Sequence, residues 1–268
     1  YITSKFDVFT ANDYMRPIIG QQRSSFNFRQ IMDERKILLV NLSKGRLGEI
    51  NANLIGMIIV GKLLMAALSR EDVRGTSARL TENVSERSDG NSPVSGQHRY
   101  GVDDRSRSLP PFYLHIDEFQ NVTTDSITAI LSEARKYNLG LTIAHQYIAQ
   151  LTDEIRDAVF GNVGSIAAFR VGPEDAEFLE KQFAPTFTAR DLINIENRYA
   201  YVRMLSRGAP TKPFNIRTAA PRAADHTQIE ARIARLYLRY GRSREEVEAE
   251  IAARYQRPPV HSARAAVV

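Results

Sequence analysis

The sequence contains no cysteine among its 268 residues. Disulfide bonds and cysteine-ligated metal sites are therefore excluded. No zinc-binding pattern or nucleophilic triad accompanies the histidines, which are scattered along the chain. We expect His115 and His145, which fall on predicted strands, to serve core packing. The five histidines are His98, His115, His145, His226 and His261.

A strong charge of one sign is also missing, because 36 Lys and Arg face 31 Asp and Glu, a net charge of +5. This balance permits a polyanionic partner without requiring one. The start, Tyr1 to Lys5, lacks both a signal peptide and a methionine, which suggests a fragment of a longer protein, with a processed terminus as the alternative. The most apolar run, Leu54 to Leu68, is about fifteen residues long and contains Lys62, whereas a membrane span needs about twenty apolar residues. We predict a buried core helix there.

Large apolar residues are nearly absent from residues 71–111, which are rich in Ser, Arg, Asp, Gly and Asn. Such a segment buries too little surface to offset the entropy lost on ordering, so we predict a disordered insertion. The basic residues of 70–107 could touch a phosphate backbone, but acids are interleaved with them and a solvated linker is favoured. These basic residues are Arg70, Arg74, Arg79, Arg87, Arg99, Arg105 and Arg107.

On both sides of the insertion, apolar runs alternate with helical patterns. Lys36 to Leu42 (KILLVNL) has the branched, continuous apolar character of a strand covered on both faces, and a glycine turn and a helix of about twenty residues follow it. The alternation predicts an α/β domain with a mainly parallel sheet and flanking helices. After the insertion we predict strands at 112–116, 141–144 and 165–171, helices at 125–138, 153–160 and from Pro173, and a hairpin of 199–205 with 213–218.

The last fifty residues predict a helical pair attached to this domain. One helix has an apolar stripe that runs from Ile229 to Tyr240 and stops at Gly241, and the next opens with a capping box of Ser243 and Glu246. The predicted organisation is then a lead-in at 1–35, the α/β domain at 36–70 and 112–218, the insertion at 71–111, and the helical pair and tail at 219–268.

Two adjacent carboxylates, Asp117 and Glu118, follow the predicted strand Phe112 to Ile116. Ligands gather at the carboxyl ends of parallel strands, where an aspartate can hold Mg²⁺ through water and a glutamate can deprotonate an attacking water. An acidic turn at a strand end is the alternative. The next strand ends in Gln146, whose amide could sense a γ-phosphate, and this combination favours the functional interpretation.

These residues lie in longer stretches that resemble a known family. The stretches are KILLVNLSKGRLGE, FYLHIDEFQN, ILSEARKYNLGLTIAHQYIAQL, GNVGSIAAFRVGPEDA and YVRMLSRGAPTKPF. They resemble the C-terminal half of the motor domain in type IV secretion coupling ATPases, the TraG/TraD-like relatives of FtsK and HerA.

The resemblance implies a RecA-like fold, use of ATP and Mg²⁺, and a homo-hexamer that moves DNA during conjugation. It also implies relaxosome and secretion-channel proteins as partners, and a place in the cytoplasm at the inner face of the bacterial membrane. Contact with the membrane itself would come only through an upstream segment.

The resemblance also assigns roles to individual residues. Asp117 and Glu118 match the Walker B pair, and Gln146 matches the glutamine that senses the γ-phosphate. Arg135 matches the position from which such hexamers offer an arginine to the ATP of a neighbouring subunit, although an ordinary solvated helix arginine is the alternative. Arg156 and Arg170 are weaker candidates for the same role.

One element of the family pattern is missing, since no Gly-x-x-x-x-Gly-Lys-Ser/Thr run occurs in the sequence. The nearest stretch, Ser43 to Gly48, has glycines too closely spaced, and we interpret it as a turn between a strand and a helix. We therefore expect the water-activating half of an ATPase site, with the phosphate-binding loop upstream in a longer protein and no ATP hydrolysis by this chain alone. The alternatives are a soluble HerA-like DNA-processing translocase and a truncated, non-catalytic interaction module.

Overall fold

The computed structural model describes residues 9, 11–70, 109–123 and 125–255. The predicted insertion lies outside the described residues except for 109–111, and so does the tail after 255. The chain divides into two compact units. One comprises the described residues within 1–27, 39–55 and 223–268, and the other comprises the described residues within 28–38 and 56–222. The domain boundaries drawn from the sequence stay a prediction.

The second unit contains a parallel strand pair beside its larger core. Strand β1 (Phe112–Ile116) pairs with β2 (Leu139–Ile143) in a register that sets Phe112 opposite Leu139. The connection between them is α5 (Asp125–Glu133) and a 3₁₀ turn (Ala134–Tyr137). Ile127 and Ile130, one helical turn apart, are fully buried, and burying such a pair holds α5 on the core.

Several helices contribute to this core. Those of the second unit are α2 (Phe28–Asp33), residues 56–68 of α4 (Glu49–Leu68) and α6 (Asp153–Asn162). Helix α4 is long and apolar enough to span a membrane by composition alone. Its last turns, however, place Val60, Leu63, Leu64 and Ala67 in the core cluster, as predicted for a core helix.

A second cluster forms around an antiparallel sheet of order β3-β4-β7. Its strands are β3 (Ile166–Ala168), β4 (Tyr199–Arg203) and β7 (Phe214–Arg217), and its helices are α7 (Pro173–Phe183) and α8 (Ala189–Ile193). Pro173 opens α7 at a position where a missing N–H costs nothing. A capping box of Thr188 and Asp191 begins α8.

The predicted hairpin is confirmed, since β4 pairs antiparallel with β7. Between them, β5 (Leu205–Ser206) pairs with β6 (Ala209–Pro210) around a two-residue turn. Arg207 and Gly208 at this turn have φ of 53° and 82°. Positive φ at both positions gives a tight turn that matches the twist of the strands.

The first unit contains α1 (Met15–Ile19), α3 (Lys44–Leu47), α9 (His226–Tyr240) and α10 (Arg244–Tyr255). Helices α9 and α10 confirm the predicted helical pair. The Ser243 hydroxyl accepts from the Glu246 N–H at 3.1 Å, which is half of the predicted capping box. Arg16 pairs with Glu248, so α1 and α10 are joined.

Two expectations about the sheet were wrong. Residues 36–42 form no strand, and Ile37 and Leu39 are 88% and 89% exposed. Strand β3 is shorter than predicted and pairs antiparallel with β4, so the described residues contain one parallel pair rather than a mainly parallel sheet. The α/β class holds at the coarser level of helices with small sheets.

Candidate functional site at the end of β1

The pairing of β1 with β2 continues past the last residue of each strand. The Ala144 N–H donates to the Ile116 carbonyl at 2.9 Å, and the Phe119 N–H donates to the Ala144 carbonyl at 2.9 Å. Residues 117–118 are thereby held beside residues 145–146. This explains why a carboxylate pair and an amide from separate segments meet at one edge of the sheet.

Glu118 lies at the centre of this edge. Its Oε1 accepts a hydrogen bond from Gln146 Nε2 at 2.5 Å, and its Oε2 accepts one from Gln120 Nε2 at 2.7 Å. Its backbone is left-handed, with φ of 50°, an uncommon conformation for a residue other than glycine. The structure therefore brings Glu118 and Gln146 together, while their catalytic roles stay predictions.

Gln120 is a site residue that the sequence analysis missed. Its amide nitrogen reaches Glu118 because a 3₁₀ turn, Phe119–Val122, begins directly after the carboxylate pair. Fully buried Phe119 anchors that turn in the core. The available sequence signal was a polar side chain two residues after Glu118.

Asp117 is exposed, and its Oδ1 accepts from the Glu118 N–H at 3.0 Å. An exposed carboxylate at the sheet edge suits Mg²⁺ held with waters and phosphate oxygens, because that ion usually keeps several waters and takes one or two carboxylates. The part of the chain that the structure describes contains no group of three or more His, Asp or Glu able to bind a metal by themselves. Asp117 therefore fits a Mg²⁺ that waters and phosphate oxygens also hold.

The segment after Gln146 is fixed by a buried carboxylate. Asp175, on the first turn of α7, is 9% exposed, and both its oxygens lie 3.3 Å from the Ile148 backbone nitrogen. Gln146 is therefore held between the β1–β2 ladder and this anchor. The sequence predicts for Asp175 only a place in the helix that begins at Pro173.

Arg135 lies in the 3₁₀ turn between α5 and β2, where the predicted helix 125–138 departs from α-helical geometry. Its side chain lies outside the part of the chain that the structure describes.

Arg70 holds the end of that turn, because its guanidinium donates to the Tyr137 carbonyl at 3.1 Å and the Pro110 carbonyl at 2.6 Å. Arg70 also pairs with Asp33 and is fully buried, so the prediction that it belongs to a solvated linker was wrong.

Arg156 and Arg170, the weaker candidates for the role predicted for Arg135, have polar partners nearby. Arg156 pairs with Asp153 at 2.8 Å and Asp157 at 3.2 Å, and Arg170 donates to the Asn197 side chain at 3.2 Å. Lys44, in the glycine-containing stretch, pairs with Glu49 at 2.9 Å. These contacts give each of the three basic side chains a local role.

The histidine predictions had mixed outcomes. His115 is exposed on β1, so the expected core-packing role was wrong for it, because alternate residues of this strand face away from the core. His145 is half-buried beside Gln146. Its Nδ1 is buried without a hydrogen-bond partner among the described residues.

Comparison with known proteins supports the coupling-protein resemblance over part of the chain. Residues 111–183 match the family described as the TraM recognition site of TraD and TraG. No curated protein matches the chain. A solved structure described as plasmid coupling protein TrwB in complex with ADP and Mg²⁺ is similar at 15% identity and a TM-score of 0.38, over 43% of this chain and 32% of that one. The matched part thus spans about a third of that protein. The family match confirms the resemblance predicted from the sequence over residues 111–183, which hold Asp117, Glu118 and Gln146.

Proposed function

We propose that this chain supplies the water-activating part of an ATP hydrolysis site in a DNA-translocating coupling ATPase of the TraG/TraD type. The observation that carries the proposal is the contact between Glu118 and Gln146 at the carboxyl ends of two parallel strands. A carboxylate and an amide at that position can activate a water and recognise a phosphate. The family match covers both residues.

Each residue has a defined part in this proposal. Bound Mg·ATP would supply the electrophilic γ-phosphate, with Asp117 holding the ion through water. Glu118 accepts the proton of the attacking water. Gln146 now donates to the Glu118 Oε1, and its amide would turn from that oxygen toward the bound phosphate. Gln120 still donates to the other oxygen and keeps the carboxylate oriented.

The larger assembly belongs to the same proposal. We take the site to form in a RecA-like homo-hexamer that moves DNA at the cytoplasmic face of a bacterial membrane, with relaxosome and secretion-channel partners. Arg135 then acts on the ATP of a neighbouring subunit. The 268 residues contain no P-loop motif, so this chain by itself is expected to show no Mg²⁺-dependent ATPase activity.

The decisive experiment compares two glutamine substitutions in a longer form that includes a P-loop. Glu118→Gln should retain Mg·ATP binding and lose about 10²- to 10⁴-fold in kcat, the usual contribution of a general base. Glu154→Gln, at an exposed position on α6, is the matched control and should keep wild-type turnover. Normal turnover of Glu118→Gln would remove Glu118 from the mechanism.

A second candidate function is recognition of a partner protein without catalysis. The description of the matching family, a TraM recognition site, favours it. In that case binding of TraM by the chain would need no nucleotide, and Glu118→Gln would leave the affinity unchanged. A soluble, HerA-like translocase is the third alternative, and membrane-spanning helices in the full-length protein would argue against it.

A further inference from the structure

Helix α9 carries an apolar seam that is open to solvent. Its four members are spaced by four, three and four positions, which places them on one narrow face of the helix. They are between 38% and 54% exposed, and α9 has no buried residue. The seam residues are Ile229, Ile233, Leu236 and Tyr240.

Local hydrogen bonds close both ends of α9. The Asp225 side chain accepts from the Gln228 N–H at 3.1 Å, and the Gly241 N–H donates to the Tyr237 carbonyl at 2.8 Å. A helix of about 15 residues is nevertheless marginal by itself in water, and most helical stability in proteins comes from packing of an amphipathic face. The exposed seam is therefore the face through which a partner would stabilise α9.

Three arginines extend along one side of the seam. None of them pairs with a carboxylate among the residues that the structure describes, and the nearby Glu250 of α10 pairs instead with Arg242 at 2.8 Å. The Arg239 guanidinium lies 5.2 Å from the centre of the Tyr240 ring, which keeps its charge beside the seam. The apolar face is thus bordered by cations that have no described counter-ion. The three arginines are Arg232, Arg235 and Arg239.

We propose that α9 binds an acidic amphipathic helix of a partner protein. Such a helix would cover the seam with its own apolar residues and set carboxylates against Arg232 and Arg239, the arrangement by which paired helices select their partners. α9 lies outside residues 111–183, so the family match assigns it no role. The inference does not depend on the proposed function, and its test requires no nucleotide.

A second copy of this chain fits the seam less well. In a parallel pair of α9 helices, Arg232 of one copy would face Tyr237 of the other. In an antiparallel pair, Arg232 would face Arg239. Neither arrangement gives Arg232 a carboxylate, and the second one sets like charges together.

A membrane and a nucleic acid each match only part of this surface. Helices that lie in a membrane surface bury a broad apolar face, whereas the seam of α9 has the narrow spacing of a coiled coil. DNA phosphates would contact the arginines but leave the seam in water. An acidic helix satisfies both the seam and the arginines.

The test titrates the purified 268-residue chain against two labelled peptides and follows fluorescence anisotropy. The acidic peptide has three heptads with Ile at a, Leu at d and Glu at e and g, and the basic peptide has Lys in place of each Glu. Like charges keep each peptide from pairing with itself. We expect the acidic peptide to bind at least about fivefold more tightly at low salt, because the three arginines outnumber Glu230, the one acid of α9.

Two leucines of α9 provide matched variants. Leu236→Gln changes the seam, whereas Leu238→Gln makes the same substitution on the far side of the helix, where Leu238 is 87% exposed. Leu236→Gln should weaken binding of the acidic peptide about tenfold or more, since one leucine is no longer buried on binding. Leu238→Gln should change the affinity by less than about twofold.

A second pair of variants tests the charge. Arg232→Gln/Arg239→Gln should weaken binding of the acidic peptide about three- to tenfold at low salt, and added salt should reduce the difference. Arg23→Gln/Arg46→Gln removes the same charge from exposed positions elsewhere and is the control. Circular dichroism melts show whether each variant is folded, and the comparison of the two peptides on the unmodified chain needs no variant.

Several outcomes would overturn the proposal. They include equal affinity for the two peptides, no binding of either peptide, and equal losses in Leu236→Gln and Leu238→Gln. A dimer in sedimentation experiments that Leu236→Gln abolishes would assign the seam to a second copy. Binding to phosphatidylglycerol vesicles or to labelled DNA that is tighter than peptide binding and that Leu236→Gln abolishes would assign it to a membrane or a nucleic acid.

Discussion

Two apolar stretches of similar composition adopt different structures in this protein. FYLHI, at 112–116, forms β1, pairs along its length with β2, and packs Leu114 and Ile116 against the larger core. KILLVNL, at 36–42, has at least as many branched residues but forms no strand, and Ile37 and Leu39 lie almost fully in solvent. The difference shows that β composition by itself does not make a strand.

The two stretches differ in what lies beside them. β1 has a neighbour, because α5 and the 3₁₀ turn return the chain to pair with it, and its entry is held by the Arg70 bond to the Pro110 carbonyl. Residues 36–42 pair with no strand in the part of the chain that the structure describes. Strand propensity largely reflects packing against neighbouring strands, so an apolar run without such a neighbour stays unpaired and exposed.

The largest effect that tests this comparison is expected from one substitution in each stretch. Leu114→Asp should lower the free energy of unfolding by about 3 kcal/mol or more, because it places a carboxylate against the core. Leu39→Asp should change it by less than about 0.5 kcal/mol, as at other surface sites. Urea unfolding followed by circular dichroism measures both, and similar losses would mean that residues 36–42 are buried in solution.

Arg70, which is bonded beside the start of β1, should contribute nearly as much to the free energy of unfolding. Arg70→Met removes a buried guanidinium and leaves the Asp33 carboxylate and the Tyr137 and Pro110 carbonyls without it, at an expected cost of about 3 kcal/mol. Arg46→Met, at an exposed position on α3, is the control and should cost little. Equal urea midpoints for the two variants would show that β1 does not depend on this anchor.

At the other end of β1, the expected effect is on turnover rather than stability. In a longer form with a P-loop, Gln120→Ala should lower kcat about tenfold, the equivalent of one hydrogen bond to a charged group at about 1.4 kcal/mol. Mg·ATP affinity should stay unchanged, because Gln120 orients Glu118 and is not expected to touch phosphate. Gln150→Ala, at an exposed position, is the control. A Gln120→Ala variant with wild-type kcat would show that the hydrogen bond from Gln120 to Glu118 does not contribute to hydrolysis.

The smallest effect is expected at the capping box of α8, where Thr188 and Asp191 are only three residues apart and no neighbouring strand is needed. Hydrogen bonds from Thr188 lower the pKa of Asp191 below its ordinary value. A lowered folded-state pKa means that this carboxylate stabilises the fold above its unfolded pKa, and that the stabilisation is lost as the pH falls through the folded pKa. Thermal melts should therefore show Asp191→Asn slightly less stable than wild type at pH 7, with the gap closing in acid. A stability difference between wild type and Asp191→Asn that does not change with pH would show that the charge of Asp191 does not stabilise the fold.

Local signals allowed much of the architecture to be predicted. Pro173 at the start of α7, the Ser243 cap of α10 and Gly241 at the end of α9 each act within a few residues, so their effects can be read without a fold. The meeting of Glu118 and Gln146 also followed from sequence, because the ends of adjacent parallel strands share one edge. The hairpin of 199–205 with 213–218 was also predicted from the sequence.

Only the tertiary structure decided which distant partners each segment meets. The sequence by itself could not show that Arg70 reaches Asp33, Tyr137 and Pro110, that Asp175 holds the backbone after Gln146, or that β3 pairs antiparallel with β4. Nor could it show that residues 36–42 pair with no described strand. Hydrogen bonds between strands and buried ion pairs join residues far apart in the chain, and their formation depends on which surfaces folding brings together rather than on the composition of either segment.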